Sequence, residues 1–263
     1  MKFYCVSDIH GYYDILRDTL KKYGFKENDP SNMLICCGDY WDRGNQPYEV
    51  MKYLMSLDNT ILIRGNHEDL MVDYINRGYA ERHDISNGTE KTFWNLCSKF
   101  KHNDKKALLP QFRDFITPFY DKMVNYYETE HYVFVHGWIP VKHTYFEGES
   151  GYTYENKHQY DPDWRGANNV EWEDARWSNG IDEAYKGIIV PGKTVICGHW
   201  HCSYGWARKV YEETKDYAKY KQLIDFPRWD PFEMDGIIAI DRCTALTNEM
   251  NILILEDELL EKA

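Results

Sequence analysis

Short apolar runs rich in β-branched residues alternate with amphipathic stretches along the first third of the chain, the pattern of a sheet assembled from β-α-β units. Runs at 2–9, 33–38 and 60–65 predict strands, and apolar positions at helical spacing predict helices over 13–23, 48–57 and 68–76. Each of the three strands ends in a polar loop containing glycine: Asp8-Ile9-His10-Gly11, Gly38-Asp39-Tyr40-Trp41-Asp42-Arg43-Gly44 and Gly65-Asn66-His67-Glu68. Parallel strands bring their C-terminal ends to one edge of an open α/β sheet, where ligands bind, so the three loops are expected to converge.

Residues 88–122 read as helical with a break at Pro110, and 123–128 with 131–136 as the two strands of a hairpin. From 138 to 192 the periodicity dissolves into Gly, Asn, Tyr and Trp, which predicts loops with short helices. Regular order returns with a strand over 193–197, a helix over 211–223 and strands over 237–240 and 251–255. With no internal repeat, low-complexity tract or linker, a single domain over 1–263 is expected, carrying aromatic-rich insertions at 138–192 and 203–232. The longest apolar runs fall far short of the roughly 20 residues that span a bilayer, so no membrane segment is expected.

Composition narrows the function classes. The 263 residues include 43 acidic and 31 basic side chains, a net charge of −12, which argues against extended nucleic-acid binding. Seven cysteines, odd in number and scattered through strand-like runs, are expected to be reduced core thiols. The adjacent Cys36 and Cys37 point to opposite faces of a strand and cannot easily bridge. The first residues lack a basic region followed by a long apolar stretch, so no secretory signal is expected and the location is read as cytoplasmic.

The strand-end loops carry the candidate chemistry. Asp8, His10, Asp39, Asn66 and His67 lie there, and two later strands end in His136-Gly137 and Gly198-His199-Trp200-His201. Carboxylate, imidazole and amide oxygen suit a pair of Mn, Fe or Zn ions. Asp8 and His10 are two apart and can chelate one ion, Asp39 is placed to bridge both, and Asn66, His136 and His199 would complete the second.

These blocks, in this order over residues 8–199, resemble the phosphoprotein phosphatase branch of the calcineurin-like metallophosphoesterases, in the manner of a bacterial serine/threonine phosphatase. The resemblance implies an α/β fold of αββα type, a central β-sandwich flanked by helices, with two divalent cations, Mn first. It implies hydrolysis of phosphate monoesters by direct attack of a metal-bound hydroxide, with a phosphorylated protein or a small phosphate ester as substrate. His67 would be the proton donor to the leaving group and Asp42 its orienting carboxylate, while Arg43 would hold the phosphoryl oxygens. Arg176 best matches the family's second arginine, with Arg165 its rival and Arg64 structural. Glu68 would cap the following helix or support a ligand. His201 departs from the branch, where the Gly-His block supplies one ligand; it could reach the first ion or stand behind it.

Two other readings stand beside this one. Symmetrical dinucleoside tetraphosphatases share these blocks, so a dinucleoside polyphosphate or nucleotide hydrolase is the alternative. A non-catalytic metal-bound scaffold that binds a phosphorylated partner is the remote one, and intact Asp42, Arg43 and His67 argue against it. The net negative charge ranks phosphopeptides above polyanionic dinucleotides.

Overall fold

The computed structural model describes residues 1–27, 29–100, 105–147 and 153–260. β1 (Lys2–Val6), α1 (Tyr13–Lys22), β2 (Asn32–Cys37), α2 (Pro47–Met55), β3 (Thr60–Ile63) and α3 (Asn66–Arg77) follow one another in the alternation that the apolar pattern dictates. Three helices, α4 (Arg82–Asn87), α5 (Thr89–Cys97) and α6 (Lys105–Tyr120), then precede β4 (Met123–Val124). Next come β5 (Tyr127–Glu128), β6 (Tyr132–Phe134), β7 (Val141–Glu147), β8 (Thr153–Tyr160), α7 (Asn169–Trp177), α8 (Gly180–Tyr185) and β9 (Thr194–Cys197). The described elements end with α9 (Cys202–Thr214), α10 (Tyr217–Asp225), β10 (Phe232–Met234), β11 (Ile237–Ala239), α11 (Thr244–Thr247) and β12 (Leu253–Glu256).

Two five-stranded sheets result, ordered β12-β1-β2-β3-β4 and β10-β11-β9-β6-β5. Strands β1 to β4 are parallel and β12 closes their edge antiparallel; in the second sheet β11, β9 and β6 are parallel between antiparallel edge strands. Side chains alternate across each strand, so every strand feeds two layers. Phe3, Cys5, Ile35, Cys37 and Ile63 pack against Phe134, Ile196 and Ile238 of the second sheet. Tyr4, Val6, Leu34, Cys36 and Leu62 face the other way, toward Leu16, Val50, Met71 and Phe112 of the helices. The second sheet turns Val133, Val195 and Cys197 outward beneath Trp138, Trp172 and Ile181. Helices, sheet, sheet and helices make the αββα architecture. All seven cysteines are buried and free, and Cys36 and Cys37 lie in different layers. Among the described residues no helix is long and apolar enough to cross a membrane.

Four local expectations are corrected. Residues 123–128 do not form one strand: β4 pairs with β3 in the first sheet and β5 with β6 in the second, so Asn125 and Tyr126 carry the chain between sheets. Period-two alternation suits either sheet and cannot signal the crossing. Pro110 does not break α6, which contains it together with Pro118. Each proline removes one backbone donor, whereas the buried stripe Leu108, Phe112, Ile116 and Phe119 spans the whole helix. The insertion at 138–192 contains the hairpin β7–β8, a separate two-stranded sheet, beside its helices; residues 148–152 of it lie outside the described residues. The helix expected over 211–223 is two helices, because Lys215 turns left-handed (φ 52°) and Asp216 caps α10 by accepting from the Ala218 N–H at 2.9 Å.

Candidate metal centre

The loops after β1 and β2 are zipped together by main-chain bonds, the N–H of His10 to the Asp39 carbonyl at 2.8 Å and that of Gly11 to the Tyr40 carbonyl at 2.8 Å. Both strands end in residues held in the left-handed region, Asp8 (φ 51°), His10 (47°), Asp39 (58°), Asp42 (69°) and Arg43 (60°), and His199 after β9 does the same (64°). That conformation is costly for residues with a Cβ and persists where surrounding structure enforces it, typically at functional sites. Glycine is required beside them for space: a Cβ on Gly65 would stand 2.2 Å from Asp39 Oδ1, and one on Gly198 2.2 Å from Asp8 Oδ2.

Asp39 is the centre of the arrangement. Its Oδ2 lies 3.6 Å from His10 Nε2 and 3.7 Å from His67 Nε2, and its Oδ1 lies 3.3 Å from His136 Nε2. The Asn66 side-chain oxygen is 2.8 Å from that same His136 nitrogen. The carbonyls of Trp41 and Cys37 accept from Nδ1 of His10 (2.9 Å) and His136 (2.8 Å), which leaves each Nε2 as a lone pair turned into the site. Trp177 O lies 3.2 Å from His199 Nε2 and leaves its Nδ1 free in the same way. Ligand atoms of His10, Asp39 and His67 fall within 4.8 Å of one another, and so do those of Asp39, His136 and His199. Asp8 stands at the margin, with Oδ1 4.0 Å from His10 Nε2 and Oδ2 accepting from the His199 N–H at 3.1 Å.

The electrostatics call for cations. Burial pushes Asp8 up, and the Asp39 carboxylate adds to it. Burial would raise Asp39 as well, but the imidazoles of His136, His67 and His10 hold it below the usual carboxylate range. Burial, with the neighbouring His67, holds His10 well below its ordinary value, and burial, with His136, holds His199 down at about 3, so both are neutral donors at physiological pH. His10 Nε2 is buried and has no hydrogen-bond partner among the described residues. Crowded carboxylates, neutral imidazoles, an amide oxygen and an orphaned lone pair fit divalent cations.

Beside this centre, His67 Nδ1 is 2.7 Å from Asp42 Oδ2, and Arg43 Nη2 is 3.3 Å from His67 Nε2. Glu68 reaches back from α3 to accept from the backbone N–H groups of Gly65 (2.9 Å), Asp39 (3.0 Å) and Tyr40 (2.9 Å), so it both caps the helix and fixes the Asp39 loop. Sequence reasoning missed three residues. Thr89 and Thr92 of α5 bond Asp42, with no signal in the sequence beyond a helix start after Gly88. Asp241, buried at the end of β11, obeys the same strand-end rule that singled out the others; burial, with Asp8 beside it, pushes its carboxyl well above the usual range.

Residues 1–203 match the model of the calcineurin-like phosphoesterases. The chain belongs to that family. Over 130 residues this calcineurin-like phosphoesterase is 32% identical to a symmetrical bis(5'-nucleosyl)-tetraphosphatase of Buchnera aphidicola subsp. Acyrthosiphon pisum (strain Tuc7), covering 46% of this chain and 47% of that one. A namesake from Buchnera aphidicola subsp. Schizaphis graminum (strain Sg) is 42% identical over 69 residues, 26% of this chain and 24% of the relative. The chain spans about half or less of the length of these curated relatives. The cold-active protein-tyrosine phosphatase of a psychrophile, Shewanella sp., superposes with a TM-score of 0.53 at 15% identity, over 97% of this chain and 75% of that one, and so shares the fold.

Among the arginines of this calcineurin-like phosphoesterase, the structure brings Arg43 to the centre and commits the others elsewhere. Arg176 is buried, its Nε 2.5 Å from Asp69 Oδ2 and its Nη1 3.1 Å from Asn125 Oδ1. Arg165 forms a two-pronged pair with Glu128, and Arg64 stacks on the Tyr120 ring at 4.1 Å. His201 lies 3.9 Å from Asp241 Oδ2 with 43% of its side chain exposed, and it belongs to neither ligand group.

Proposed function

We propose that this calcineurin-like phosphoesterase hydrolyses phosphoric esters and anhydrides at the strand-end centre, with dinucleoside polyphosphates as its preferred class. The observation that carries the catalytic part is the sharing of Asp39 between two ligand groups in which every residue but the partly exposed His199 is buried. In this reading Asp8, His10 and Asp39 hold one cation, and Asp39, Asn66, His136 and His199 hold the other. When bound, the two cations acidify water and neutralise charge on the attacking and leaving oxygens. The chain's own residues do the rest. The exposed Arg43 guanidinium meets phosphoryl oxygens as a planar fork. Burial opposes the charged form of His67, but Asp39 and the bond to Asp42 raise it to about 9, so at neutral pH it carries a proton for the leaving oxygen.

Two observations favour dinucleotides over the phosphopeptides that net charge alone would rank first. The curated relatives named above are dinucleoside tetraphosphatases. The half-exposed indoles of Trp177 and Trp200 flank His199, with ring centroids 5.9 and 6.4 Å from its imidazole, and offer faces on which a base can stack. Because the ligands come from strand ends of both sheets, residues 1–263 are read as one functional domain. The test is kcat/KM with Mn on diadenosine tetraphosphate, phosphoserine peptides and p-nitrophenyl phosphate. Preference for the dinucleotide is expected. A tenfold preference for the best phosphopeptide would restore the phosphoprotein phosphatase reading, and no turnover of any substrate would leave only the scaffold.

A further inference from the structure

We propose that Thr89 is a positioning residue for proton delivery: its hydroxyl locks Asp42 in the orientation that aims His67. The inference rests on the proton-donor role of His67 proposed above. Asp42 is fully buried, and its Oδ2 accepts two bonds, from His67 Nδ1 at 2.7 Å and from the Thr89 hydroxyl at 2.7 Å. Among the described residues its Oδ1 has no hydrogen-bond partner. The Asp42 N–H donates to Thr92 Oγ1 at 3.0 Å. Thr89 and Thr92 are three apart on α5, hence on one helix face, and both are buried. The same helix grips the rest of the loop: Lys91 Nζ donates to the Arg43 carbonyl at 2.8 Å and Asn95 Nδ2 to the Asn45 carbonyl at 3.0 Å. Gly88, ahead of Thr89, sits so close that a Cβ there would be 2.8 Å from the Arg43 nitrogen.

A carboxylate held only by the imidazole it is meant to orient cannot fix that imidazole, since the pair would turn together. Thr89 is the external anchor, and because it lies on α5 and His67 on α3, the donor and its anchor reach Asp42 from different elements. In the reaction the bond from the attacking water oxygen to phosphorus forms as the leaving P–O bond breaks with its electron pair. The leaving oxygen takes the His67 Nε2 proton, and a proton from the attacking water restores it. Misaiming Nε2 therefore harms substrates in proportion to how badly their leaving group needs the proton.

The experiment compares the Mn-loaded full chain with T89V, T89S and H67N over a series of aryl phosphates from phenyl to p-nitrophenyl. T89V keeps volume and loses the hydroxyl. Its kcat is expected to fall about tenfold or more on phenyl phosphate and much less on p-nitrophenyl phosphate, steepening the leaving-group dependence at unchanged KM and metal content. T89S, which retains the hydroxyl, should return to the parental slope. A parental slope in T89V while H67N is steepened would overturn the role of Thr89. A parental slope in H67N itself would instead remove the proton-donor reading. T89A, read in the same series, carries the same expectation where T89V does not fold.

Discussion

Arg176, which is buried, and Asp69, which is 12% exposed, form an ion pair that ties the last turn of α7 to the first turn of α3, Nε to Oδ2 at 2.5 Å. The residue after Arg176 supplies the carbonyl that holds His199, and the residues before Asp69 are Asn66, His67 and Glu68, so the pair couples the two halves of the centre. Burial lifts the Asp69 carboxyl, which Arg176 and Arg64 pull part of the way back. Removing the cation would strand that carboxylate. R176L is therefore expected to lose about 3 kcal/mol or more of stability in denaturant unfolding. D69N should also destabilise, and the double variant should cost clearly less than the sum. A phosphate clamp would behave otherwise, raising KM at parental stability, and that outcome would return Arg176 to the role the sequence suggested.

Asp39 offers one oxygen toward His10 and the other toward His136. D39N keeps the shape and removes the charge common to both ligand groups. The purified variant should hold markedly less of both cations by elemental analysis, whereas N66A should affect chiefly the second. Full occupancy in D39N would refute a shared carboxylate.

The legible part of this molecule is the part written locally. Asp8, His10, Asp39, Asn66, His136 and His199 each end a strand whose apolar pattern is plain, and Gly65 and Gly198 beside them record how closely the carboxylates approach. What escaped is written at a distance. Arg176 finds Asp69 across 107 residues, and Thr89 finds Asp42 across 47, between positions whose own surroundings give no hint of the partner. The crossing at Asn125 escaped because the same alternation satisfies both sheets, and the β7–β8 hairpin because its strands are largely polar.

The proton on His67 sets a pH limit. Its imidazole is raised to about 9 by Asp39 and Asp42 against the opposing effect of burial, and bound cations lower it from there by like-charge repulsion. The protonated form is the donor, so kcat on phenyl phosphate should fall with rising pH above a break at or below about 9. On p-nitrophenyl phosphate that limb should be shallow, and H67N should lack it. A break common to all three would assign it to another group.

A second titration concerns stability. His131, in the turn between β5 and β6, places Nδ1 2.7 Å from Asp257 Oδ1 and donates its N–H to Asp257 Oδ2 at 2.9 Å, clasping the second sheet to the strand that edges the first. The bond to Asp257 raises His131, so its contribution is complete below the ordinary imidazole value and fades as pH rises through the raised one. The Asp257 carboxyl is held low despite some burial, chiefly by His131, so its contribution is present above the ordinary carboxylate value and fades in acid. The Tm advantage of the parent over H131N should be widest near pH 5 to 6 and shrink toward alkaline pH, a small effect for so exposed a ring. A Tm difference constant with pH would show that the ring contributes by packing alone.

Trp200 stands between His199 and His201 with its indole half exposed, packed on one side by Tyr204 at 5.3 Å. Trp177 also neighbours His199, with ring centroids 5.9 Å apart, and packs near His83 at 5.8 Å. Both indoles are half exposed, and base stacking on such a ring is worth about 1–3 kcal/mol. Replacing Trp200 by alanine should therefore raise KM for diadenosine tetraphosphate by roughly five- to a hundredfold, at 1.4 kcal/mol per tenfold, and should depress kcat/KM on the dinucleotide relative to p-nitrophenyl phosphate. Binding of ADP should quench indole fluorescence in the parent and less in the variant. An unchanged ratio of the two substrates, with quenching intact, would show that the bases lie elsewhere.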